Sequence, residues 1–127
     1  MPGEFPAEIE QFIQQHIESL AQLEALLLLR NDRQRLWCAE EVARALYTSA
    51  DVCAALLASL ERQGLLRVET QPRPRYQYHP ANEELDQTVA RLDAIYQERR
   101  VAVITQIYSR PVSNVQTFAD SFRLRGK

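Results

Sequence analysis

The chain has 127 residues, of which 46% are hydrophobic and 25% are charged, and its formal net charge is −2. This length suits a single domain, residues 1–127, with a hydrophobic core, and the composition is typical of a soluble globular protein and not of a disordered chain. The longest apolar run, residues 25–29, is far shorter than the roughly 20 residues of a membrane-spanning helix, and the acidic first ten residues do not resemble an export signal, so we expect a cytoplasmic protein with no membrane partner.

The basic residues are almost all arginines, since Lys127 is the only lysine. They are unevenly placed, because the first half of the chain is net acidic and the second half is net basic. We therefore expect any contact with nucleic acid to come mainly from the second half.

Two amphipathic helices are predicted before a polar break. Residues 6–17 place apolar side chains at spacings of three and four, as one face of a helix requires. Ser19 is expected to begin a second helix, with Gln22 completing a capping box, and the polar segment 31–35 is expected to end it. Residues 36–37 then resemble a very short strand or an anchored turn.

The next two predicted helices are joined by a short turn. The first helix is predicted over residues 38–47 and the second over residues 50–63. Ser49 is the expected N-cap of the second helix, and Gly64 is its expected left-handed C-terminal cap. The second helix has an apolar stripe formed by Cys53, Leu56, Leu57 and Leu60. Two helices so closely connected predict a helix-turn-helix.

A β-hairpin follows, with strands predicted at residues 65–69 and 75–79 and a stiff proline-containing loop at 70–74. Tyr76 and Tyr78 fall on one face of the second strand. They could stack on bases, but we favour the interpretation that they close the core.

The two arginines of the hairpin, Arg73 and Arg75, alternate with Pro72 and Pro74. They could enter a minor groove or bind phosphates, with the prolines limiting the entropy lost on binding. Equally, the hairpin could be solvated, with prolines that protect an edge strand from pairing.

Residues 82–108 contain no glycine or proline and predict one helix, about 40 Å long at 1.5 Å per residue. So long a helix requires a partner, most simply a second copy of the chain. Arg99 interrupts its apolar repeat and is expected near a carboxylate or at the edge of the contact. After Pro111, residues 113–124 predict a last amphipathic helix.

The two cysteines and two histidines lack the spacing of a metal site, so we expect buried thiols and a structural His16. Cys38 begins a predicted helix, where a thiol can sense oxidation, but the adjacent Glu40 and Glu41 oppose thiolate formation. Glycine-rich phosphate loops and nucleophile motifs are also missing from the sequence. We expect neither an enzyme nor a bound metal or cofactor.

This order of elements resembles the winged helix-turn-helix of MarR-type bacterial regulators. The resemblance is carried by residues 19–80, from SLAQLEALLLL through WCAEEVARAL to SADVCAALLASLERQGLLRVE, in which a glycine-leucine pair leads into the wing. It implies a mainly α fold with a small β-hairpin, in which helices at 6–17 and 82–124 flank the winged-helix core and mediate dimerisation. It also implies a homodimeric transcriptional regulator that binds double-stranded DNA, with residues 50–63 in the major groove and residues 70–75 at the backbone or minor groove.

The resemblance and the helical wheel of residues 50–63 together define the expected contacts. Those expected at DNA are Thr48, Ser49, Asp51, Ala55, Ser59, Arg62, Arg73 and Arg75. Those expected in dimerisation are Phe12, Ile13, Leu85, Val89, Leu92, Tyr96, Val103, Ile107, Phe118 and Phe122.

The expected recognition face departs from the usual pattern, because it carries an acid, small residues and a single arginine. Base readout usually relies on Arg, Lys, Asn or Gln, and affinity relies on neutralised phosphates. The alternative is therefore a non-enzymatic winged-helix scaffold that binds a protein partner through this face and does not bind DNA.

Overall fold

Six helices and one two-stranded sheet make up the described part of the chain, residues 6–109 of the computed structural model. The elements in chain order are α1 (Ala7–His16), α2 (Leu20–Asn31), α3 (Ala39–Leu46), α4 (Ala50–Arg62), β1 (Leu66–Glu69), β2 (Arg75–Tyr78), α5 (Glu83–Glu98) and α6 (Arg100–Tyr108). The predicted mainly α fold with a β-hairpin is confirmed. The helix predicted at 113–124, with Phe118 and Phe122, lies outside the described residues. None of the described helices is long and apolar enough to cross a membrane.

Local capping sets the ends of α2 and α4 as the sequence predicts. The hydroxyl of Ser19 accepts a hydrogen bond from the Gln22 backbone N–H (3.1 Å), and that of Ser49 accepts one from the Val52 N–H (3.1 Å). Gly64 ends α4 with a φ of 84°, in the left-handed region that glycine adopts without strain. One detail of the predicted capping box is wrong: the Gln22 side chain accepts from the Glu18 N–H, one residue before the N-cap.

The hairpin is tied to the helical core through β2. Both strands pair in antiparallel register, with Val68 opposite Tyr76. On the other side of β2, Trp37 and Tyr76 exchange backbone hydrogen bonds of 2.8 and 2.7 Å, so the short strand predicted around Trp37 is present as a single bridge. Tyr76 and Tyr78 are buried, which confirms that they close the core.

The long helix predicted over residues 82–108 is wrong. Arg99 has non-helical backbone angles (φ −133°, ψ 59°), and the chain forms α5 before it and α6 after it. Neither glycine nor proline stands at the break. Because the chain bends at Arg99, α6 packs on α1 and buries Val103 and Ile107 in the same core as α5.

Most side chains expected in a dimer contact are instead buried within this chain. The buried ones, each exposed by 5% or less, are Phe12, Ile13, Val89, Leu92, Tyr96, Val103 and Ile107. Leu85 is half-buried and packs on the same core. These side chains therefore attach the flanking helices α1, α5 and α6 to their own winged helix.

Candidate nucleic-acid interface

The outer face of α4 is small and weakly charged. Of the residues predicted there, Asp51, Ala55 and Arg62 are exposed. Ser59 is half-buried, which limits its access to a ligand, and its hydroxyl accepts a hydrogen bond from the Gln63 amide (3.0 Å). The structure adds Val52, which is 44% exposed and lies outside the predicted set.

The turn between α3 and α4 exposes a row of hydroxyl groups. Thr48 and Ser49, both predicted contacts, are exposed. Tyr47, which the sequence did not single out, precedes them and is 95% exposed. The Thr48 N–H donates to the Ala43 carbonyl (3.0 Å), so the end of α3 fixes the position of this row.

Both wing arginines have acidic partners within the chain. Arg73 lies 3.8 Å from a carboxylate oxygen of Glu40 on α3, and both side chains are more than half exposed. Arg75 lies 3.2 Å from Glu69 on the paired strand and is 36% exposed. Surface pairs of this kind contribute about 0–1 kcal/mol, so a phosphate can replace the carboxylate at small cost. Arg73 is the more accessible of the two.

Glu40 also places a fixed negative charge beside the wing. The pKa of its carboxyl lies below the ordinary value, chiefly because its own backbone N–H donates to it; the Cys38 thiol and the charge of Arg73 lower it further. Glu40 is therefore ionised at neutral pH. The long sequence separation between Glu40 and Arg73 explains why sequence reasoning missed this pair.

Two further arginines of the helix-turn-helix are exposed and make no ion pair with any residue in the range 6–109. They are Arg44 on α3 and Arg62 at the end of α4. Arg62 belongs to the predicted set and Arg44 does not. A helical wheel of residues 38–47 would have placed Arg44 opposite the buried Val42 and Ala43.

The cleft between α4 and the wing brings several of these groups together. It has a volume of about 210 Å³ and is lined by Glu40, Ala54, Arg73, Pro74 and Tyr76, among others. The exposed side of α4 and the tip of the wing thus border one surface depression. A ligand that contacts α4 here also reaches Arg73.

The cysteines and His16 occupy structural positions. Cys38 and Cys53 are both buried, as predicted, and burial raises the pKa of the Cys53 thiol, which opposes thiolate formation. His16 is half-buried and hydrogen-bonds through Nδ1 to the Gln63 side chain at the end of α4. Within residues 6–109 there is no group of three or more His, Cys, Asp or Glu side chains that could hold a metal ion.

Comparisons with known proteins identify the fold. No protein-family model and no curated protein matches the chain. Among solved structures, the chain is similar to the homodimeric winged helix-turn-helix DNA-binding domain Mb0332 from Mycobacterium bovis, described as a possible ArsR-family transcriptional regulator. That likeness has 20% identity and a TM-score of 0.53, and covers 78% of this chain and 93% of that one.

The chain is also similar to MepR of Staphylococcus aureus, a transcription regulator of the multidrug efflux pump MepA (20% identity, TM-score 0.52, 94% of this chain and 90% of that one). The DNA complex of MepR gives a TM-score of 0.55 at 20% identity, with 94% and 86% covered. At such identities the likeness shows the fold alone. The chain therefore has a winged helix-turn-helix fold, and its resemblance to regulators of this fold is confirmed at that level.

Proposed function

We propose that the chain is a DNA-binding transcriptional regulator that acts as a winged-helix homodimer and has no enzymatic activity. The observation that carries this proposal is the shared surface of α4 and the wing, where Ala54 and Arg73 border one cleft. The solved structures of similar fold support it, because they are transcription regulators and MepR has been solved bound to DNA.

In this proposal α4 enters the major groove and the wing loop, residues 70–75, lies at the backbone or minor groove. Arg73 leaves its ion pair with Glu40 and binds a phosphate instead. Thr48 and Ser49 donate hydrogen bonds from their hydroxyl groups to other phosphates. Ala55 can contact a thymine methyl group, and Arg62 is the group on α4 best suited to a guanine edge. Because few bases are read, we expect modest sequence preference and strong salt dependence.

The homodimer is proposed to form through the outer face of α6. On α1, α5 and α6 the large hydrophobic residues left exposed are Val101 (76% exposed) and Tyr108 (61%), with the half-buried Ile104 between them. This spacing places all three on one side of α6, opposite the buried Val103 and Ile107. A helix that is apolar on both sides is typical of a buried position, which a second copy would provide.

The DNA-binding proposal is tested by measuring the affinity of the full chain for DNA by fluorescence anisotropy. The duplexes are a pool of random sequence and the DNA upstream of the gene that encodes the chain, each at about 50 and 200 mM salt. The double variant Arg73→Ala, Arg75→Ala is expected to lose affinity and to lower the salt dependence. Arg91→Ala is the control, because Arg91 is an exposed arginine of α5 that pairs with Glu8 of α1 and is not among the predicted DNA contacts. Absence of binding at low salt, or equal losses in the wing variant and the control, would refute the proposal.

A further inference from the structure

The residue that ends α3 combines an unfavourable backbone with an unused side chain. Tyr47 has φ 59° and ψ 46°, and is the one residue other than glycine with a positive φ among residues 6–109. This left-handed region is unfavourable for any residue with a Cβ atom, and glycine would occupy it freely.

Packing within the chain does not compensate for this conformation. The Tyr47 side chain is 95% exposed, and its hydroxyl makes no hydrogen bond to a residue of the described range. Other tyrosine hydroxyls form hydrogen bonds within the chain. The Tyr78 hydroxyl, for example, donates to Asp86. The left-handed backbone caps α3, since the Thr48 N–H reaches the Ala43 carbonyl (3.0 Å), but glycine would form the same cap without strain. The exposed tyrosine side chain therefore points to a role outside this cap.

The groups around Tyr47 suit one ligand chemistry. Arg44, three residues earlier on α3, is exposed, and Thr48 and Ser49 follow with exposed hydroxyls. The Ser49 hydroxyl already accepts the Val52 N–H, so its proton remains free to donate outward. One guanidinium and three hydroxyl donors thus border the turn that precedes α4. Charge-assisted hydrogen bonds of this kind are suited to the oxygens of a phosphodiester.

We propose that Tyr47 is a DNA-backbone contact, whose hydroxyl donates to a phosphate beside the groove entered by α4 while Arg44 neutralises the charge. This inference rests on the proposed function. A contact to phosphate positions α4 and carries no sequence information, so its loss weakens binding to all duplexes by similar factors. A tyrosine at this turn lowers the stability of the chain through its left-handed backbone and raises the affinity for DNA through its hydroxyl.

Two substitutions separate the hydroxyl from the backbone strain. Tyr47→Phe keeps the ring and the strain and removes only the donor, so affinity is expected to fall by about threefold to tenfold with an unchanged melting temperature. Tyr47→Gly removes both, so affinity is expected to fall at least as far while the melting temperature stays the same or rises. Arg44→Ala is expected to weaken binding and to reduce the salt slope by about one, with Arg91→Ala as its control.

Each variant is measured as the full chain, by anisotropy on a duplex that the wild type binds and by circular dichroism on heating. Weaker binding by both Tyr47 variants, with Tyr47→Gly at least as stable as the wild type, supports the inference. If the wild type binds DNA and Tyr47→Phe binds equally well, the hydroxyl contact is overturned and the proposed function stands. If the wild type binds no duplex at low salt, the proposed function itself fails, and the inference fails with it.

Discussion

Tyr78→Phe removes a single buried hydroxyl that connects the wing to α5. The Tyr78 hydroxyl donates to an Asp86 carboxylate oxygen at 2.8 Å, and Arg33 donates to the same oxygen at 2.8 Å. Tyr78 is 4% exposed, and the Arg33 guanidinium lies 4.9 Å from the centroid of its ring. The substitution leaves the ring in place, so it tests the hydrogen bond alone.

The expected cost follows from the surroundings of Asp86. A hydrogen bond to a charged group contributes about 1.5–3 kcal/mol to stability. Asp86 keeps Arg33 as a partner, and its side chain is 30% exposed, so water can replace part of the lost bond. We therefore expect Tyr78→Phe to lower the free energy of unfolding by about 1–2 kcal/mol at neutral pH.

The same contact gives the loss a pH dependence of known sign. Burial raises the pKa of Asp86, but the hydrogen bonds from Arg33 and Tyr78 outweigh it and hold the pKa below its ordinary value of 3.8. A carboxyl whose pKa is lowered by folding stabilises the folded state above its unfolded pKa, and this stability disappears as the pH falls through the folded pKa. The difference between wild type and Tyr78→Phe is therefore expected to shrink below about pH 4.

The assay is urea unfolding at several pH values, followed by the fluorescence of Trp37, the single tryptophan, which is buried. Tyr47→Phe is the matched control: Tyr47 is 95% exposed and its hydroxyl makes no hydrogen bond to a residue of the range 6–109, so we expect a change within about 0.5 kcal/mol. A Tyr78→Phe variant as stable as the control, or a loss that does not change between pH 7 and pH 3, would refute the reasoning.

Two further predictions concern the proposed interfaces. Glu40→Gln removes the carboxylate beside Arg73 and is expected to raise DNA affinity by about twofold to fivefold in the anisotropy assay; Glu83→Gln, an exposed acid of α5, is expected to have no effect. An unchanged affinity would mean that Glu40 does not face the phosphates. Val101→Lys is expected to convert the dimer to a monomer in sedimentation equilibrium, while Gln34→Lys, in the loop after α2, keeps the wild-type mass. A variant that remains dimeric would exclude the outer face of α6.

Features set by neighbouring residues could be predicted from the sequence. The N-caps at Ser19 and Ser49 and the C-terminal cap at Gly64 depend on local chemistry, and each is present. The alternation of Tyr76 and Tyr78 likewise indicated their burial in the core. Caps and apolar repeats involve residues that are close in the sequence to the helix or strand that they define. They therefore predict the order of helices and strands, and this order indicates the fold.

Features set by distant contacts could not be predicted. The break at Arg99 is marked by no glycine or proline, and the packing of α6 on α1 that accompanies it joins distant parts of the chain. The apolar repeat of α5 looks the same whether it contacts a second copy or its own core, so the burial of Val89 and Leu92 within the chain was not foreseen. Tyr47 gave no signal either, since left-handed turns are usually occupied by glycine or asparagine.

The bridge between Trp37 and Tyr76 also affects whether the β-sheet of this chain can pair with a strand of a second chain. β2 is paired with β1 on one side, and on the other side Tyr76 is bonded to Trp37 while the Gln77 side chain donates to the Arg33 carbonyl, so the segment 33–37 lies against this side of β2. The remaining edge belongs to β1, which has four residues, including the charged Arg67 and Glu69. Short, charged edges disfavour the addition of another strand and thereby protect against aggregation. Association of two chains through a continuous sheet is therefore unfavourable, and the helices provide the surfaces through which copies can meet.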